Sequence, residues 1–328
     1  MKKTVGIVGA GAWGTALAVV VARGGNPVIL WSAEEKIAKE INEKRRNSYL
    51  DGVSISREII ATNDMADLAR ADVWLIATPT EFFRETIQSV YATLRRDKKS
   101  RPFESRRSAS GDGWQKQPII ICSKGIEPQT GKLLSDVVMD VIPSAGRMIG
   151  VLGGPSFAFE VAMGKPTGAT IAGPAKVRDA ARSVLSGFVL EDSNDVYGVQ
   201  ICGAGRVAIA MLLGYMEGKG AGENERAMKL TQAWQEIMRF GRHFVPAGAE
   251  AKAGHVKTDT FSMLCGIGDL FLTASSKNSR NYSAGLALAK GQEFGGTVEG
   301  VAALKWIVSI ARKNKLHLPV LMEFSKVI

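Results

Sequence analysis

The stretch Gly9-Ala10-Gly11-Ala12-Trp13-Gly14 narrows the possible folds most, because it follows an apolar β-branched run and opens a helical pattern. Thr4–Val8 reads as a buried strand, Thr15–Arg23 as a helix and Val28–Trp31 as a second strand. In such a crossover the first glycine permits the tight turn and the second lets backbone approach a pyrophosphate. The third allows close packing of helix on strand, and the N–H groups of the helix start face the anion. A lone GxGxxG says little. Strand, turn, helix and strand in this order predict dinucleotide binding.

The same alternation continues. Asp72–Ala77, Ile119–Cys122, Met148–Leu152 and Ala169–Ala172 read as further strands, with a last short apolar run at Val189. Glu34–Arg45, Phe82–Leu94 and Lys176–Phe188 read as helices between them. Continuous apolar strands bounded by turns are what a parallel sheet covered on both faces requires, so the fold class is α/β, a doubly wound Rossmann sheet. From Gly198 the strand pattern stops and helical segments take over at Val199–Met216, Arg226–Phe240, Tyr282–Ala289 and Ala302–Asn314. The expected organisation is a dinucleotide-binding domain at 1–197 and an all-α substrate domain at 198–328.

Composition sets the limits. The 328 residues are enough for two domains, and 45% hydrophobic with 23% charged residues excludes wholesale disorder. No run approaches the roughly 18 apolar residues a bilayer span needs, and the glycine turn cuts short the apolar run after Met1-Lys2-Lys3. No membrane span and no signal peptide are expected. Cys122, Cys202 and Cys265 are too scattered for a disulfide framework or a zinc site and suit a reducing cytoplasm. His243, His255 and His317 lack ligand spacing, so no metal is expected. Residues 95–117 hold eight basic and three acidic side chains, half of the net charge of +10. That stretch is rich in Ser and Gly and reads as a solvated loop rather than a nucleic-acid arm. The remaining charge suits anionic small ligands.

Cofactor choice rests on the residues just after Val28–Trp31. An acid about 20 residues beyond the glycine motif is expected to read the ribose, and Glu34 or Glu35 stands there. No arginine immediately succeeds the strand, which favours NAD, while Lys36 leaves NADP open. Gly214 to Lys219 superficially resembles a P-loop but is one residue short and lacks a preceding strand.

Further on stand Ser123-Lys124-Gly125-Ile126-Glu127 at a strand end, Gly153-Gly154-Pro155-Ser156-Phe157-Ala158, Gly268-Asp269-Leu270 with Thr273, Ser279-Arg280-Asn281, and Val298-Glu299-Gly300. A lysine outside the carboxyl end of a sheet strand is well placed for a ligand. Arg280 beside Asn281 offers a forked cation and an amide, suited to phosphate oxygens. In this order, with the N-terminal motif, the set resembles the bacterial NAD(P)-dependent glycerol-3-phosphate dehydrogenases, from about residue 4 to about 319.

That resemblance implies a Rossmann domain joined to a helical substrate domain, NAD or NADP as cofactor, and hydride transfer with dihydroxyacetone phosphate or sn-glycerol 3-phosphate. It also implies a homodimer and a small phosphorylated substrate as partner. It assigns Gly9, Gly11, Ala12, Trp13, Gly14, Lys124, Ala158, Arg280, Val298 and Glu299 to the cofactor. Lys124, Gly154, Ser156, Asp269, Thr273, Ser279, Arg280 and Asn281 fall to the substrate, and Lys124, Arg206 and Asp269 to catalysis.

The chain departs from the family at the reacting end. Where relatives carry Lys-Asn after Gly-Ala-x, this chain reads Gly203-Ala204-Gly205-Arg206-Val207. A lysine can polarise a ketone and donate a proton. Guanidinium, with a pKa above about 12, stabilises charge without giving up its proton. Insertions are expected at Lys98–Gln117 and near Val245–Gly254. Three readings are open: a dehydrogenase of the three-carbon phosphate whose activity is either weakened by the change to Arg206 or rescued by Lys124, a reductase of another phosphorylated ketone, and a non-catalytic cofactor- or metabolite-binding homologue.

Overall fold

The computed structural model describes residues 2–100, 117–244, 256–295 and 298–328. The chain divides into two compact units, each described in turn: Met1–Ser123 with Leu134–Leu152 and Ser156–Asn194, and Lys124–Leu133 with Gly153–Pro155 and Asp195–Ile328.

The first unit is built on an eight-stranded sheet. Its strands are β1 (Val5–Val8), β2 (Val28–Trp31), β3 (Ile59–Thr62), β4 (Val73–Ile76), β5 (Ile119–Ile121), β6 (Ile149–Gly153), β7 (Thr167–Ala172) and β8 (Phe188–Ser193), ordered β3-β2-β1-β4-β5-β6-β7-β8. Val5 of β1 pairs in parallel with Val28 of β2 on one side and Val73 of β4 on the other. Every residue of β1, β2 and β4 is buried, as a sheet covered on both faces demands. The covering helices are α1 (Ala12–Arg23), α2 (Glu35–Lys44), α3 (Phe83–Ser100), α4 (Leu134–Val141), α5 (Ala158–Ala162) and α6 (Ala175–Val184). Leu17, Val21, Leu30, Ile41, Leu75 and Ile120 form part of one continuous core.

Several expectations are corrected at edges. β3 carries no sequence prediction, because only one of its faces is buried and Ile60 is 63% exposed. β8 extends from Phe188 to Ser193, although Val189 alone signalled it; as the outer strand it tolerates Glu191 and Asp192. Helix α6 accordingly stops at Val184, short of Phe188. The loop expected from residue 95 begins as helix, since α3 runs to Ser100 through residues of good helix propensity with no proline before Pro102. The rest of the basic stretch, 101–116, and the insertion expected at 245–254 lie outside the described residues.

The second unit is helical: α7 (Val196–Gly218), α8 (Glu223–His243), α9 (Asp269–Ser275), α10 (Arg280–Ala289), α11 (Glu299–Lys313) and α12 (Pro319–Phe324). Asp195 fixes the start of α7 by accepting from Gly198 N at 2.8 Å, Lys257 N at 2.7 Å and Thr260 Oγ1 at 2.6 Å. Among the described residues α7 alone has the length and hydropathy to cross a membrane, yet 89% of its apolar window is buried inside the protein. It is the unit's central helix. Gly214, the first glycine of the P-loop-like string, lies within α7, and a Cβ there would come 2.0 Å from the Tyr282 carbonyl oxygen. Close backbone packing of α7 on α10 therefore accounts for that glycine. All three cysteines are free and buried.

Candidate functional site

In the first unit the glycine motif forms the turn between β1 and α1. Gly9 takes φ +112°, a left-handed conformation that side chains disfavour, and its N–H donates to Trp31 O at 3.0 Å. A Cβ on Gly14 would meet Gly9 O at 1.8 Å, so the helix packs here only with glycine. Gly11 differs: a Cβ there would touch nothing within 4 Å, leaving open space beside the helix start. No acidic side chain lies in the first turn of α1 and no side chain caps it. Buried Thr78 Oγ1 has no hydrogen-bond partner, and its Cγ2 lies 3.2 Å from where a Gly9 Cβ would sit. A phosphate-bearing dinucleotide fits this turn through its free helix start, its open Gly11 and an unsatisfied hydroxyl nearby. Trp13 ties α1 to the end of β5 through Nε1 and Cys122 O at 3.0 Å, and Ala12, Trp13 and Ala158 pack against the same core. Ser156, half-buried, precedes α5 in this unit.

The second unit gathers the charged residues. Asp269, 2% exposed, opens α9 directly after a π-helical turn at Leu264–Gly268. Its Oδ2 lies 3.0 Å from Lys124 Nζ and 2.7 Å from Arg206 Nε, while its Oδ1 accepts from Thr273 Oγ1 at 3.2 Å. Lys124 also donates to Gly154 O at 3.0 Å, and Arg206 Nη1 to Thr273 Oγ1 at 2.6 Å. The short Arg206 Nε contact is an ion pair whose N–H misses the line to the oxygen, so Nε makes no hydrogen bond. Five sequence-predicted residues, Lys124, Gly154, Arg206, Asp269 and Thr273, thus touch one another in a single cluster.

Two cations share one carboxylate, which leaves local positive charge for an oxyanion. Burial pushes the Lys124 ammonium below the usual lysine range and Arg206 adds to that, while Asp269 and, less strongly, Glu299 oppose it. Lys124 keeps 20% of its side-chain surface exposed against 7% for Arg206, so it is the more accessible cation. One of its three donor directions is unengaged among the described residues.

The expected phosphate residues occupy the start of α10. Ser279 caps that helix by accepting from Tyr282 N at 3.4 Å. Asn281 is buried and spends its Oδ1 on Gly300 N at 2.8 Å, which leaves the amide nitrogen as its donor. Arg280, 67% exposed in its side chain, has Nη2 at 4.0 Å from Glu299 Oε1. Val298 precedes α11 and Glu299 begins it, so both stand beside the Gly300 that Asn281 holds.

Sequence reasoning missed three supporting residues. Asp195 sets the position of α7 and with it Arg206; an acid ahead of a long apolar helix was the available signal. Thr78 had none. Asn47, 1% exposed, donates from Nδ2 to Ala10 O at 2.9 Å and to Thr15 Oγ1 at 2.7 Å, bracing the glycine turn from a distant loop.

Known proteins carry the same architecture. A family model described as the N-terminus of NAD-dependent glycerol-3-phosphate dehydrogenase matches residues 4–178, and one described as its C-terminus matches residues 195–328. The glycerol-3-phosphate dehydrogenase (NAD(P)+) of Novosphingobium aromaticivorans is 37% identical, covering 98% of this chain and 90% of that protein. That of Parvibaculum lavamentivorans is 33% identical, covering 99% and 92%. The crystal structure of glycerol-3-phosphate dehydrogenase from Coxiella burnetii matches with a TM-score of 0.81 at 29% identity, covering 98% of this chain and 93% of that one. Turn, sheet order and sequence likeness over both units agree: the chain belongs to the NAD-dependent glycerol-3-phosphate dehydrogenase family.

Proposed function

We propose that the chain moves a hydride between NAD(P)H and C2 of dihydroxyacetone phosphate, giving sn-glycerol 3-phosphate, with Lys124 as the proton donor and Arg206 as a fixed positive charge. The observation that carries this assignment is the shared carboxylate: Asp269 Oδ2 stands 3.0 Å from the Lys124 amine and 2.7 Å from the Arg206 guanidinium. When bound, the nicotinamide supplies the hydride in one direction and accepts it in the other. Charge developing on the substrate oxygen is stabilised by Arg206, and the O–H bond forms as an N–H bond of Lys124 breaks, leaving a neutral amine. In the reverse direction neutral Lys124 takes the hydroxyl proton. Asp269 orients both cations and Thr273 holds the Arg206 fork.

Gly154, Ser156, Thr273, Ser279, Arg280 and Asn281 receive the substrate in this proposal, with Arg280 and the Asn281 amide on its phosphate. Gly9, Gly11, Ala12, Trp13, Gly14, Lys124, Ala158, Arg280, Val298 and Glu299 receive the cofactor. Residues 1–197 carry the dinucleotide, and 198–328 form most of the substrate wall. The proposal includes a cytoplasmic homodimer, supported by three free thiols and by the exposed apolar Ile267 and Phe271; light scattering of the purified chain at twice the monomer mass checks the dimer.

The direct test monitors NADH loss with dihydroxyacetone phosphate for the natural chain and for Arg206→Lys. Turnover in both is expected. Turnover confined to Arg206→Lys would overturn the assignment of Lys124 as donor. Turnover by neither, with NADH still bound, would move the chain to another phosphorylated ketone or to a non-catalytic role.

A further inference from the structure

Helices α7 and α10 meet backbone to backbone. A Cβ on Gly214 would lie 2.0 Å from the Tyr282 carbonyl oxygen, one on Gly285 2.0 Å from the Met211 carbonyl oxygen, and one on Gly218 2.5 Å from the Ala289 Cβ. Glycine on both helices lets the main chains touch, and side chains at the end of the contact are left to fix how one helix sits along the other. Arg206 stands on α7 about two turns before Gly214, while Arg280 and Asn281 open α10. This contact therefore relates the charged cluster to the turn that receives the phosphate in the proposed function.

At its far end three helices converge through three side chains. Tyr282, 3% exposed, stands in the first turn of α10. Its hydroxyl donates to Glu217 Oε2 near the end of α7 and accepts from Arg226 Nη1 of α8 at 2.6 Å. Arg226 Nη1 also pairs with Glu217 Oε2, and Lys277 Nζ, in the stretch leading to α10, lies 3.8 Å from Glu217 Oε1. Burial and the bond to Glu217 push the Tyr282 hydroxyl up to about 12, against Arg226. The same bond, with Arg226 and Lys277, holds the Glu217 carboxyl below the usual range despite its burial. At neutral pH the hydroxyl keeps its proton and the carboxylate its charge, so the direction of the bond is fixed.

We propose that Tyr282, Glu217 and Arg226 are positioning residues for the substrate phosphate: they lock the first turn of α10 onto the end of α7, so that Arg280 and the Asn281 amide meet the phosphate while the ketone lies at Arg206. The inference rests on the proposed function, and none of the three residues touches substrate in it. The bridge runs through a side-chain hydroxyl, whereas the cap of α10 runs from Ser279 to Tyr282 N. Loss of the hydroxyl therefore loosens the place of Arg280 and Asn281 without uncapping their helix.

Steady-state kinetics of the purified chain with NADH and dihydroxyacetone phosphate tests it, with inorganic phosphate as a competing probe. Tyr282→Phe removes one hydroxyl and leaves the Glu217–Arg226 pair in place. It is expected to raise KM and the phosphate inhibition constant together by about three- to tenfold, the weight of one hydrogen bond, with kcat held within about twofold. Glu217→Gln keeps an oxygen for the tyrosine hydroxyl and is expected to raise both constants less than Glu217→Ala does. Circular dichroism and the urea midpoint check the fold of each variant. An unchanged KM in Tyr282→Phe, whatever its urea midpoint, would leave the network a purely structural tie and overturn the inference. A fall in kcat at unchanged KM would overturn it too, by placing the effect at the reacting end. If the natural chain neither turns over dihydroxyacetone phosphate nor binds sn-glycerol 3-phosphate in calorimetry, the function itself fails and this inference goes with it.

Discussion

The glycine turn is shaped by backbone within Gly9–Gly14, whereas the cluster around Asp269 joins Lys124, Gly154 and Arg206 from widely separated stretches of chain to Thr273 on the same helix as Asp269. One site is made by conformation and the other by side-chain charge. A backbone site depends on there being room, so its failure mode is an added methyl group. A charged site depends on balance, so its failure mode is the removal of a partner. The two regions should therefore respond to different mutations, and a variant chosen for one should spare the other.

The largest effect is expected from Lys124→Met. Loss of a general acid lowers kcat by about 10²–10⁴-fold, and NADH affinity measured by titration should fall far less. Lys124→Arg should not restore the rate, because guanidinium holds its proton. Full activity in either variant would remove Lys124 from proton transfer. Next comes Asp269→Asn, which leaves two cations without their counter-charge in a nearly buried place. Breaking such a pair costs about 3–5 kcal/mol, read as a drop in the urea midpoint with an unchanged slope. For scale, Asp67→Asn at the exposed pair with Arg70 should cost at most about 1 kcal/mol.

Gly14→Ala probes the other region. Its Cβ would sit 1.8 Å from Gly9 O, an overlap that only a shift of the turn can relieve. The expected cost is about 1–3 kcal/mol of stability together with loss of nucleotide binding. The titration of Lys124 should stay where it is. A variant that binds NADH normally would show that the turn has slack the geometry denies.

The contrast also explains what the sequence made readable. The turn, β1, β2, β4 and β5 were legible because each is local: apolar runs covered on both faces, and glycines spaced by the turn itself. β3 was not, because its alternating burial at the sheet edge leaves too little apolar signal in four residues. Lys124, Arg206 and Asp269 were picked out by a family resemblance. Their mutual contact, and Asn47's reach from one loop to the glycine turn, exist only after folding brings distant residues together. Asp195 stood in plain view as a cap, but its carboxylate also accepts from two groups more than sixty positions away, Lys257 N and Thr260 Oγ1. Side-chain sites of this kind become legible through packing, which no local pattern encodes.

The smallest expected effect is a displaced pH inflection, and its sign is set by the cluster. Burial and Arg206 lower the Lys124 pKa below the ordinary lysine value of about 10.4, and Asp269 works against them. In the role proposed for it, Lys124 is charged and donates below its folded pKa; as pH rises through that value, donation is lost and proton uptake begins. The rate of ketone reduction should therefore fall, and that of alcohol oxidation rise, around one inflection beneath the ordinary lysine value. Arg206→Met removes a depressing cation and should move the inflection up, whereas Asp269→Asn should move it down. The same depression makes the unfolded chain hold more protons between the folded and ordinary pKa values. In that window stability should rise with pH, a trend that Lys124→Met should flatten. Inflections that stay fixed in both charge variants would assign the titrating group to some residue other than Lys124.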